Sequence, residues 1–140
     1  MVSVASRILL AALILSSFTS LAQPSKTYLF EQLKQPTYLQ SFNALFNGED
    51  DLEPWLKAYI ENRDGVETPR QFRLIGEQTF EVYRVCEPHK CPDNFLFVLF
   101  MPDGAQAWGL FTKDDGASRY FGNPDSNIKE ALRAIEEDSL

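Results

Sequence analysis

Phe95-Leu96-Phe97-Val98-Leu99-Phe100-Met101 is an unbroken apolar run, and it constrains the fold more than any other stretch of this chain. It reads as a strand of the kind that is buried on both faces. Asp103-Gly104 behind it is a hairpin signal, so the chain turns back into a strand spanning Ala105 to Thr112, with Trp108 and Phe111. Asp114-Asp115-Gly116 turns again, into a short strand from Ser118 to Phe121. Upstream, a period of two begins at Pro69. Phe72 and Leu74 alternate with Arg73, Gly76-Glu77 breaks the run, and Phe80, Val82 and Arg84 lead to Cys86.

Helical spacing frames these strands. Thr27 to Leu33 is a short apolar-rich segment stopped by Pro36, which itself suits the first turn of a second helix. Tyr38, Leu39, Phe42, Leu45 and Phe46 then form one core face, ended by Asn47-Gly48. Glu49, Asp50, Asp51 and Glu53 read as a solvated acidic linker. Pro54 to Ile60 supplies one or two helical turns with Trp55 as a core anchor, and Asn62-Arg63-Asp64-Gly65 is a turn. The C-terminal helix is predicted to start with Asn123 as cap and Pro124 at its first position, burying Ile128, Ala131, Leu132 and Ile135. The sum is an α+β domain: an antiparallel sheet of about five strands with helices packed on one face.

The N-terminus reads as a targeting segment. Arg7 precedes the apolar run Ile8 to Leu15, and Ser20-Leu21-Ala22 offers small residues at the −3 and −1 positions, so residues 1–22 are predicted to be a signal peptide. No cysteine stands near the cleavage point to carry a lipid, and no membrane anchor is expected. Residues 23–140 then form a single domain, long enough for a core of its own. Arg7 is the only charge removed, leaving 12 basic against 20 acidic residues, a net charge of −8. That balance argues against nucleic acid or an anionic membrane as partner, and suits a basic protein.

Both cysteines and the single histidine fall within six residues, Cys86-Glu87-Pro88-His89-Lys90-Cys91. Outside the cytosol such a pair is normally oxidised. Closing so short a ring stabilises the fold by only about 2 kcal/mol, so the bond serves more to fix the loop's shape. The loop joins the second strand to the central apolar one and projects from the end of the sheet. A zinc site would need a second ligand pair, and no other cluster of Cys or His exists in the chain. Redox dithiols are normally two residues apart at a helix N-terminus, not four apart between strands. No Gly-x-Ser-x-Gly elbow or phosphate-binding glycine loop appears. The residues alone leave two readings: a staple on a hairpin, or a rigid probe for a partner's cleft.

Cys-x-Pro-His-x-Cys resembles the signature loop of the Ivy family, periplasmic inhibitors of vertebrate C-type lysozyme in Gram-negative bacteria. The resemblance extends to Gly76-Glu77-Gln78-Thr79-Phe80-Glu81-Val82, Pro54-Trp55, Thr68-Pro69 and Gly109-Leu110-Phe111. It implies a non-catalytic protein without cofactor or metal, whose disulfide-closed loop enters the lysozyme active site. Glu87, Pro88, His89 and Lys90 would form the binding loop, with the His89 imidazole between the catalytic carboxylates. It also implies the option of a homodimer, and a second class of target, an endogenous peptidoglycan-cleaving enzyme. One departure stands out. Family members carry a basic residue after the first cysteine and an acidic one before the second, whereas Glu87 and Lys90 reverse those signs. A Glu87 carboxylate turned toward the catalytic carboxylates would repel them.

Overall fold

The computed structural model describes residues 25–91 and 93–139. The segment read as a signal peptide, residues 1–22, lies outside them. The elements are α1 (Leu29–Gln32), α2 (Pro36–Ala44), α3 (Pro54–Asn62), β1 (Val66–Glu67), β2 (Gln71–Ile75), β3 (Gln78–Cys86), β4 (Phe95–Phe100), β5 (Ala107–Thr112), β6 (Ser118–Phe121) and α4 (Ser126–Glu137). All strand pairings are antiparallel, in the order β1-β3-β4-β5-β6, and β2 pairs with the first half of β3 on the edge it shares with β1. The fold is α+β, as expected, with one short strand more than the sequence signalled.

β4 is the axis of the core. Every one of its residues is buried, and alternation sends them to two sides. Leu96, Val98 and Phe100 join Leu29, Phe42, Leu56 and Tyr59 from α1, α2 and α3. Phe95, Phe97 and Leu99 join Ile128, Leu132 and Ile135 from α4. The expectation that all helices lie on one face is therefore wrong. A strand that is apolar at every position exposes hydrophobic surface unless both faces are covered, and α4 covers the second.

α4 itself starts two residues later than predicted. Its cap is Asp125, whose carboxylate accepts the Ile128 N–H at 2.9 Å. Asn123 instead turns the chain with a φ of 51°, and Pro124 precedes the cap. Pro36 does sit in the first turn of α2. α3 runs for nine residues rather than one or two turns. Trp55 packs against Phe111, ring centroids 5.8 Å apart, and leaves its indole N–H without a partner.

Two further expectations change. Phe72 and Leu74 are not core residues: they are 60% and 67% exposed, because β2 lies on the outer edge of the sheet, beyond the cover of the helices. The acidic linker is not simply solvated. Glu49 pairs with Arg119, and Glu53 meets Lys113 at 2.7 Å, which fastens the start of α3 to the end of β5. At the other end of α3 the Tyr59 hydroxyl donates to Glu67 of β1 at 2.6 Å. α3 thus spans the sheet close to the β3–β4 connection. On the same face, the rings of Tyr38 and Phe100 pack 5.1 Å apart. Gly104 lies beneath Tyr38 with a φ of 73°, where a Cβ would come within 2.6 Å of the ring; only glycine fits there.

Candidate functional site: the Cys86–Cys91 loop

β3 and β4 run side by side from Glu81–Phe100 to Cys86–Phe95, and the loop leaves the sheet directly from that last pair. Cys86 is 4% exposed, the final buried residue of β3, whereas Cys91 is exposed. The two are joined, with Cα atoms 5.5 Å apart, so the ring expected from the sequence is present.

Within the ring the Lys90 N–H donates to the Glu87 carbonyl at 3.0 Å, closing a four-residue turn. Pro88 takes its second position, where a fixed φ near −65° is favourable. His89 takes the third with a φ of 67°. Proline followed by a residue of positive φ is the pattern of a type II turn, whose third position normally goes to glycine or asparagine. A side chain there costs about 1–2 kcal/mol. Histidine thus stands exposed at the tip of a closed ring in a backbone conformation that glycine or asparagine would adopt more readily.

The reversed charges acquire a structural account. Glu87 does not point outward: its side chain is 18% exposed, one oxygen lies 2.7 Å from the Asn94 amide nitrogen, and the other lies 3.3 Å from the Lys90 ammonium. Lys90 remains 61% exposed. In the free chain the Glu87 charge is engaged at the foot of the loop.

Sequence reasoning missed Asn94. It is 7% exposed, its carbonyl accepts the Glu87 N–H at 3.1 Å, and its own N–H donates to the Lys90 carbonyl at 3.3 Å. Its only signal was a polar residue placed immediately before the apolar run.

The surroundings are acidic. Val66 pairs with Cys86 and Thr112 pairs with both Phe95 and Ser118, so the α3–β1 and β5–β6 turns flank the loop at one end of the sheet. Asp64, Asp93, Asp114 and Asp115 are exposed there. Of the neighbouring lysines, Lys90 is paired with Glu87 and Lys113 with Glu53; the hydrogen bond it donates to the Glu53 carboxylate, and the charge of that carboxylate, hold the Lys113 ammonium above its usual range. The chemistry on offer is an exposed imidazole on a stiff mount inside a negative rim.

No family model matches the chain. It is 30% identical over 124 residues to the inhibitor of vertebrate lysozyme of Pseudomonas aeruginosa, an alignment covering 79% of this chain and 78% of that protein. An uncharacterised protein of Yersinia pestis is 28% identical, over 91% of this chain and 90% of its own length. The inhibitor of vertebrate lysozyme of Escherichia coli K12 is 28% identical, over 87% of this chain and 73% of that protein. With the disulfide-closed loop and the α+β fold in place, this chain belongs to the inhibitor of vertebrate lysozyme family, the Ivy proteins.

Proposed function

We propose that this protein is a non-catalytic inhibitor of C-type lysozyme that places His89 in the enzyme's active-site cleft. The observation that carries this reading is the exposed His89 at the tip of the ring, held in a left-handed backbone conformation on a turn fixed by Pro88 and a disulfide. Lysozymes of this type cleave with a protonated glutamic acid and an ionised aspartate. An imidazole carries two nitrogens on one planar ring, so a single side chain engages both carboxyl groups and excludes sugar and water. Because the loop is already shaped, little conformational freedom is lost on docking. The net charge of −8 and the acidic rim steer the protein to a basic enzyme.

Residues 1–22 direct export, and the protein acts in the periplasm. The resemblance leaves a homodimer as an option; with Phe72 and Leu74 exposed on the outer strand β2, sedimentation of wild type against Leu74→Glu tests it. The main test is titration of C-type lysozyme with the purified protein. Wild type should extinguish activity stoichiometrically and His89→Ala should not. Wild type without effect at micromolar concentration overturns the proposal.

A further inference from the structure

We propose that Asn94 positions His89. With Glu87 it closes the loop a second time, so that the ring keeps its shape with or without the Cys86–Cys91 bond. The inference deepens the lysozyme-binding reading of the loop and rests on it for its functional consequence.

Asn94 is the last residue before β4 and one of the few buried polar side chains. Its bonds reach two points of the ring. At the start, its carbonyl accepts from the Glu87 backbone at 3.1 Å and its amide donates to the Glu87 carboxylate at 2.7 Å. Past the tip, its N–H donates to the Lys90 carbonyl at 3.3 Å, where the Asp93 N–H also donates, at 2.7 Å. The Lys90 ammonium reaches back to the other Glu87 oxygen. None of these contacts involves a sulfur atom. Together they fix positions 87 and 90, and the turn between those positions carries His89.

The polarity of the clamp is also fixed. A carboxylate only accepts, so Glu87 takes the NH2 end of the Asn94 amide, whereas a lysine there would take its oxygen end after a flip of the amide. In this chain the two reversed charges, Glu87 and Lys90, pair with each other, and Glu87 also holds Asn94.

The test is a double-mutant cycle between Asn94→Ala and the pair Cys86→Ser/Cys91→Ser, read as inhibition of C-type lysozyme. Each change alone should weaken inhibition by roughly threefold to tenfold, since the other closure remains. Asn94→Ala removes only the side-chain bond to Glu87 and leaves the backbone bonds, so the combined change should weaken inhibition roughly tenfold beyond the product of the single effects. Effects that merely multiply, or abolition by either change alone, would overturn the proposal. Glu87→Gln keeps an acceptor for Asn94 and should stay close to wild type, whereas Glu87→Ala, which removes the acceptor, should match Asn94→Ala. Should Asn94→Ala fail to fold, Glu87→Ala takes its place in the cycle. Amide exchange in the free protein gives a readout that needs no lysozyme: in the serine pair, Asn94→Ala should speed exchange at Lys90 and leave β4 and β5 unchanged. If wild type fails to inhibit, the target is wrong while exchange still decides the clamp; unaltered Lys90 exchange refutes it.

Discussion

The Tyr38 hydroxyl on α2 donates to one carboxylate oxygen of Glu81 on β3 at 3.0 Å, and the other oxygen accepts from Tyr83 at the same distance. Arg70 approaches the second oxygen at 3.6 Å. Burial, then the hydrogen bond to Glu81 and its charge, push Tyr38 up to about 12. Burial and Glu81 push Tyr83 up as well, and burial with Glu67 does the same to Tyr59. The folded state therefore holds these protons more tightly than the unfolded chain, whose tyrosines ionise near about 10. The contribution of Tyr38 to stability is whole below about 10 and is lost as pH rises through about 12, while those of Tyr83 and Tyr59 persist to higher pH. Alkaline titration followed by tyrosinate absorbance and far-UV circular dichroism should show these three tyrosines ionising together with unfolding. Ionisation of all of them in a still-folded protein would contradict the buried network.

Tyr38→Phe removes one hydrogen bond to a buried carboxylate and should cost about 1.5 kcal/mol or more in denaturant unfolding. Inhibition of lysozyme should be unchanged, because Tyr38 belongs to the far side of the fold from the loop, beside Gly104 and Pro102.

Leu132→Ala tests the second face. Leu132 is fully buried against the α4 side of the sheet, so truncation should cost about 2–5 kcal/mol in thermal or chemical unfolding. A loss below about 1 kcal/mol would mean that α4 does not cover the core.

His89→Asn separates the mount from the side chain. Asparagine accepts a left-handed backbone readily, so the ring should keep its shape and the protein its stability. Inhibition should fall by about thirtyfold or more, the scale of a binding hot spot. An asparagine variant as potent as wild type would show that the imidazole is not what the enzyme meets.

Steering predicts a salt effect of one kind. Raising ionic strength from about 0.01 M to about 0.15 M shortens the screening length from about 30 Å to about 8 Å. Association with a basic lysozyme should slow markedly while dissociation changes little, measured by surface plasmon resonance. A salt effect confined to dissociation would remove the acidic rim from the argument.

Much of this architecture was legible in the residues because its signals are local. The hairpin turns, the period-two strands, the apolar β4 and the disulfide ring all follow from a few neighbouring positions. What escaped was set by distant partners. Phe72 and Leu74 look like any half-buried strand, and only the position of β2 at the edge leaves them bare. The cap moved from Asn123 to Asp125 because Pro124 stands before the helix rather than inside it. The second layer was implied by the same apolar run that suggested two-sided burial, yet nothing in α4 alone says which face it takes. Asn94 was invisible for a similar reason: its worth lies in Glu87, on the far side of a loop.

The two-sided burial of β4 has a consequence for how such a protein changes over time. The strands on either side of the loop are gripped by helices from above and below, so the tip residues between them, Pro88 and His89, contribute little to holding the fold together. That segment can be rewritten at small cost to folding provided its ends still meet. If the loop meets lysozyme as proposed, an inhibitor built this way can follow a changing enzyme by replacing its tip alone, much as a tool holder accepts a new bit.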